Sequence, residues 1–145
     1  MDALEYLLVG DSLANALGYY EGSKLMFVDD EPDLLDIFRD LAAAEYEEAV
    51  FCVSECDVDA QLSKGVHVRM LFTDITFPGN PISVVQKVRA SSPNVFVVCM
   101  TGVCLNDPRV LALVADGAVV LEKPFRLEAV CKLIRSAYAT ASGVP

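Results

Sequence analysis

Basic residues are scarce in this chain, and so are the side chains that build most metal and redox centres. Eleven Lys and Arg stand against 21 Asp and Glu, a formal net charge of −10. A surface of that sign repels nucleic-acid phosphates and anionic membranes, so direct nucleic-acid binding is not expected. The one histidine, His67, sits alone before an apolar run and reads as a structural or solvated side chain. The five cysteines, Cys52, Cys56, Cys99, Cys104 and Cys131, include no Cys-x-x-Cys pair. Cys52 and Cys56 lie four apart with no matching Cys/His pair elsewhere, which argues against zinc. An odd count with no signal peptide points to a reducing, cytoplasmic setting. The longest apolar runs fall far short of the ~20 residues that span a membrane.

What is present is a globular composition: 145 residues, 54% hydrophobic and 22% charged. That length suggests one domain with a sizeable core. Residues 24 to 141 read as alternating strands and helices. Lys24 to Val28 is a short apolar run ending in Asp29 and Asp30, and Pro32 opens a helix through about Tyr46. Ala49 to Val53 is a second strand, and Asp57 to Lys64 a short helix stopped by Gly65. Val68 to Phe72 is a third strand leading to Thr73 and Asp74. Pro78, Gly79 and Pro81 make a loop before a helix from Ile82 to Ala90. Val95 to Met100 is a continuous apolar run rich in β-branched Val, as a strand buried on both faces should be. A helix over Asp107 to Ala115, a strand over Ala118 to Leu121 and a helix over Leu127 to Tyr138 complete the series.

Such alternation predicts an α/β fold: a parallel five-stranded sheet with helices on both faces. Right-handed crossovers make the flavodoxin-like, doubly wound order 2-1-3-4-5 the expected topology. Residues 1 to 23 stand apart as an N-terminal extension, expected to be helical. Leu4, Leu7 and Leu8 form one short apolar face, and Leu13, Leu17 and Tyr20 lie on another. These should pack on the domain or across a homodimer. Residues 142 to 145 are a tail.

In folds of this kind the site lies beyond the carboxyl ends of the strands. The chain's polar residues fall there: Asp29 and Asp30 after the first strand, Asp74 after the third, Thr101 after the fourth and Lys123 after the fifth. Carboxylates gathered so closely repel one another, and a divalent cation resolves the conflict. Oxygen ligands without His or Cys select Mg²⁺. Lys123 adds a fixed cation and Thr101 a hydroxyl, so the set makes a cradle for an anionic phosphoryl group beside a carboxylate nucleophile. Taken singly, each residue has a plainer reading: Asp29 and Asp30 as helix caps, Thr101 and Asp74 as turn formers, Lys123 as a solvated strand-end lysine.

Together, Phe27-Val28-Asp29-Asp30-Glu31, Leu71 through Gly79 around Asp74, Met100-Thr101-Gly102 and Glu122-Lys123-Pro124-Phe125 resemble the four signature sites of response-regulator receiver domains. The resemblance covers roughly residues 24 to 141. It implies that Asp74 is the phosphoacceptor and that Asp30 ligates Mg²⁺ directly. Asp29 would contribute through water or by pairing with Lys123, and the backbone carbonyl of Thr76 would be a further ligand. Lys123 would contact the phosphoryl oxygens, Thr101 would move to bond them, and Pro124 would take a cis peptide bond. The implied partners are a histidine kinase or phosphotransfer protein and a downstream protein target.

One departure is Val120, where the family usually has Phe or Tyr three residues before the lysine. Without that ring the conformational response should be muted. Val103 and Thr76 would flank the path of the hydrolytic water, and an apolar Val103 implies a long-lived phosphoryl group. Two other readings compete. Asp74-Ile75-Thr76 also resembles the first motif of haloacid-dehalogenase-like phosphatases, but only Glu128 follows Lys123 where those enzymes need further metal-binding acids. A degenerate receiver that binds partners without phosphorylation is the second.

Overall fold

The computed structural model describes residues 22–141, with side-chain environments through residue 136. Five strands and five helices alternate: β1 (Lys24–Val28), α1 (Pro32–Ala44), β2 (Ala49–Cys52), α2 (Glu55–Ser63), β3 (Val68–Asp74), α3 (Pro81–Ser91), β4 (Phe96–Thr101), α4 (Pro108–Ala115), β5 (Val119–Glu122) and α5 (Leu127–Ala141). The sheet order is β2-β1-β3-β4-β5 and every pairing is parallel. This is the flavodoxin-like topology that the alternation predicts. The expectations for residues 1 to 21 and 142 to 145 lie outside the described residues.

Side chains alternate across a strand, and here the alternation sorts the core into two layers. Leu25 and Phe27 of β1, Met70 and Phe72 of β3, and Val98 and Met100 of β4 pack with Leu35, Phe38 and Leu41 of α1 and Val130 and Ile134 of α5. Phe27 stacks on both Phe38 and Phe72, with ring centroids 4.5 and 4.8 Å apart. Met26, Val28, Leu71, Val97 and Cys99 face the opposite way. They pack with Val58 of α2, Val84, Val85 and Val88 of α3, and Val110 and Leu113 of α4. The central strands are buried on both faces, which is why β4 reads as an unbroken apolar run.

Most element boundaries shift by one to three residues from the sequence reading, and two of the shifts bear on the local chemistry. Helix α2 begins at Glu55, because the Ser54 hydroxyl caps it by accepting from the Asp57 N–H at 3.3 Å. The Asp57 carboxylate in turn accepts from the N–H of Val53, the residue before the cap, at 2.9 Å. Strand β3 continues through Asp74, so the carboxylate belongs to the sheet itself.

Helix α1 is capped by Glu45 and followed by Tyr46, which adopts φ +56° and is 97% exposed. The Glu47 N–H reaches back to the Ala42 carbonyl at 2.8 Å and closes the helix, a turn that glycine usually supplies.

Candidate functional site

Strand parity decides which strand-end groups meet. Asp74 has the parity of Met70 and Phe72, Asp29 continues that of Leu25 and Phe27, and Lys123 that of Leu121, so all three turn toward the layer of α1 and α5. Thr101 has the parity of Val97 and Cys99 and turns toward the other layer. Three main-chain bonds carry the sheet pattern one residue past the strands. Asp29 N–H donates to the Cys52 carbonyl at 3.0 Å, Ile75 N–H to Met100 at 3.0 Å and Lys123 N–H to Thr101 at 2.7 Å. The site is therefore built on rigid sheet ends. The Lys123-Pro124 peptide bond is cis.

Asp29 is fully buried and Asp74 is 1% exposed. The Lys123 ammonium lies between them, 2.9 Å from Asp29 Oδ2 and 3.3 Å from Asp74 Oδ1. Glu31 stands further off, with Oε1 3.7 Å from the same nitrogen. Burial pulls the Lys123 ammonium toward its neutral form. The hydrogen bond to Asp29 and the charges of Asp74 and Asp29 outweigh that pull and hold it above its ordinary value. Lys123 is thus a fixed cation and not a solvated strand-end lysine.

The second oxygen of Asp29 accepts from the Glu31 N–H at 2.9 Å. This is a local turn: Glu31, whose side chain makes no capping bond, occupies the cap of α1. Asp30, of opposite parity, is exposed. Its carboxylate still approaches the others, since one oxygen each from Asp29, Asp30 and Asp74 lies within 4.8 Å of the rest. The exposed Thr76 donates its hydroxyl to Asp74 Oδ2 at 3.2 Å. The structure thus gathers Asp29, Asp30, Asp74, Thr76 and Lys123 in one place.

Thr101 is buried beside them but bonded elsewhere. Its hydroxyl oxygen accepts from the Val103 N–H at 3.0 Å. Val103 is half-buried against the layer of α2, α3 and α4. Val120 packs partly buried against that same layer.

Two features escaped the sequence. Arg109 donates to Asp107 and to the main-chain carbonyl of Ile75, the residue after Asp74. A groove of about 470 Å³ also opens beside Lys123, lined by Glu31, Leu34, Ile37, Pro124, Phe125 and Leu127. No helix among the described residues is long and apolar enough to cross a membrane.

Chemically, the arrangement is a carboxylate held at a buried strand end, flanked by a fixed ammonium, a hydroxyl and two more carboxylates. The donor set fits a hard divalent cation such as Mg²⁺: oxygen only, clustered, and partly open to solvent through Asp30.

No family model and no curated protein matches the chain. Solved structures do. The beryllofluoride-activated NtrC4 receiver domain dimer aligns at 20% identity and a TM-score of 0.71, covering 81% of this chain and 98% of that one. A response regulator receiver protein from Sinorhizobium medicae aligns at 24% identity and 0.65, covering 85% and 96%. A CheY-like receiver domain protein from Methanospirillum hungatei aligns at 16% identity and 0.73, covering 85% and 98%.

Proposed function

Starting from a chain that has the fold of response-regulator receiver domains, we propose that it is a phosphoacceptor switch in two-component signalling, phosphorylated on Asp74 with Mg²⁺ as cofactor. The observation that carries this reading is the setting of Asp74. One of its oxygens faces the Lys123 ammonium at 3.3 Å and the other accepts from Thr76 at 3.2 Å. A carboxylate so held is oriented for in-line attack. An Asp74 oxygen bonds to phosphorus while the bond from phosphorus to the donor breaks, and the donor leaves with the electron pair. Lys123 balances charge on the phosphoryl oxygens.

Asp30, Asp74 and the Thr76 carbonyl are the candidate Mg²⁺ ligands. Asp29 contributes from behind, since both its oxygens are already engaged. When bound, Mg²⁺ neutralises the negative charge that otherwise opposes an incoming phosphoryl group. Thr101 is the responding group: reaching the phosphoryl oxygens requires its hydroxyl to leave the Val103 N–H.

The donor is a histidine kinase or phosphotransfer protein, and the apolar groove beside Lys123 supplies a place for it. Output is a protein contact. Leu111 and Val114 of α4 and Val119 of β5 are 54%, 46% and 36% exposed and suit a downstream partner or a second copy of the chain. The response is muted because Val120 lacks a ring to swing, and the signal persists because Val103 has no group to aim water. The protein's chemistry is directed at itself, in a cytoplasmic setting consistent with five free cysteines among the described residues.

The test is intact mass after incubation with acetyl phosphate. One phosphoryl group should add with Mg²⁺ and none with chelator. Asp74→Asn should not label. Equal labelling of the Asn variant rejects the assignment, and steady turnover of a phosphomonoester would favour the phosphatase reading instead.

A further inference from the structure

Arg109 lies in the first turn of α4 and reaches back over the loop that follows Thr101. Its Nε and Nη2 donate to the two carboxylate oxygens of Asp107 at 3.0 and 2.9 Å. That is the two-pronged contact for which a planar guanidinium is shaped. Asp107 is itself fixed, because its Oδ1 caps α4 by accepting from the Arg109 N–H at 2.9 Å. The remaining nitrogen, Nη1, donates to the Ile75 carbonyl at 3.4 Å. Ile75 stands between Asp74 and Thr76, is fully buried, and is bonded on its N–H side to Met100 at 3.0 Å. One guanidinium therefore ties the loop after β3 to the loop after β4. The electrostatics agree. The Arg109 fork holds the Asp107 carboxyl down at about 2. Arg109 in turn is raised, first by its hydrogen bond to Asp107 and, more weakly, by the charge of Asp74.

We infer that Arg109 is a positioning residue for the phosphoacceptor loop: anchored on Asp107, it holds the Ile75 carbonyl and so sets where Thr76 lies relative to Asp74. This rests on the phosphoacceptor reading and deepens it. Thr76 bears on Asp74 twice, through the hydroxyl bond at 3.2 Å and through the carbonyl proposed as a metal ligand. A small displacement of its neighbour misplaces both, and catalytic geometry tolerates little misplacement. Arg109 needs no contact with the phosphoryl group to act in this way.

Geometry and charge make opposite forecasts. Lys at this position keeps the charge but cannot both grip Asp107 with two prongs and hold Ile75. Asn at 107 keeps the helix cap, since Asn caps well. It leaves the Arg109 charge intact while weakening the fork's anchor.

The experiment titrates the full chain and Arg109→Ala, Arg109→Lys and Asp107→Asn with Mg²⁺ and then beryllofluoride. It is followed by calorimetry and by amide NMR of residues 74 to 77. All three variants should bind beryllofluoride about tenfold more weakly, a loss of roughly 1.4 kcal/mol. The Ile75 and Thr76 amides should already be displaced before metal is added. Parent-like behaviour of Arg109→Lys, or tighter binding by Asp107→Asn, would show that charge alone matters and overturn the inference. So would unchanged amides and affinity in every variant. If the parent itself ignores Mg²⁺ and beryllofluoride, the phosphoacceptor reading falls. The metal-free amide positions then still decide whether the latch exists.

Discussion

Lys123→Met replaces the cation between the two buried carboxylates with an apolar chain of similar length. At an effective dielectric near 20, unit charges at the observed 2.9 and 3.3 Å attract by roughly 5–6 kcal/mol each before desolvation is counted. Much of that is offset by the cost of burying the ions. The expected net loss is about 3–5 kcal/mol, the range found when one partner of a buried pair is removed. For a domain of this size that corresponds to a melting temperature lower by roughly 10–20 °C. The assay is calorimetric melting at neutral pH in chelator and then across a Mg²⁺ series. Mg²⁺ should recover part of the loss, because a ligand that binds only the folded state stabilises it. It should also bind the variant more tightly than the parent, since Lys123 competes for the same oxygens. Phosphorylation should nevertheless fall. A metal-free variant melting within about 2 °C of the parent, under roughly 1 kcal/mol on the same scale, would falsify the account. So would weaker Mg²⁺ binding.

Three further expectations concern the scaffold. Tyr46→Gly should stabilise the chain by about 1 kcal/mol in denaturant melts, because the lost side chain is solvated and its left-handed backbone strain is relieved; a destabilised variant would refute this. Gly79→Ala places a Cβ 2.5 Å from the Phe77 ring at φ +154°, so it should destabilise by roughly 2 kcal/mol or more and shift the Thr76 amide; a neutral result would refute the close approach. The buried thiols of Cys52 and Cys99 are pushed up to about 12 and about 11, chiefly by burial, with nearby Asp charges adding to it. Folding therefore favours their neutral forms. That stability is intact below the ordinary thiol value and is lost as pH climbs from there through the folded values. Native-state alkylation should spare both and label the exposed Cys56 and Cys104; equal labelling of all four would contradict it.

Much of the architecture was legible because it follows from periodicity. The apolar run of β4, the Pro at each start of α1, α3 and α4, and the turn glycines set the alternation and hence the sheet order. The sequence reading grouped Thr101 with Asp29, Asp74 and Lys123; only the strand register of the structure shows that Thr101 turns to the opposite face. Other features leave no periodic trace. Arg109 works through a main-chain carbonyl, which any residue could provide, so no side-chain pattern marks its partner. The groove beside Lys123 arises where α1, Pro124 and the start of α5 meet, and their separation along the chain hides it. The cap at Ser54 was present as a Ser-x-x-Asp pattern, and it moved the start of α2 only because hydroxyl capping outweighed the weaker apolar periodicity of that helix.

The ion pair between Asp29 and Lys123 joins residues 94 positions apart. Closing a chain of that length costs about 4 kcal/mol in loop entropy. During synthesis Asp29, Asp30 and Asp74 all emerge before Lys123, so the first four strands can assemble while their carboxylates still face one another without that counter-charge. Docking of the short β5, which Lys123 follows, is then the event that relieves them. A chain arrested before it lacks both that counter-charge and the cover that Val130 and Ile134 of α5 give to one face of the sheet, so gathering the strand-end charges and completing the core become a single step.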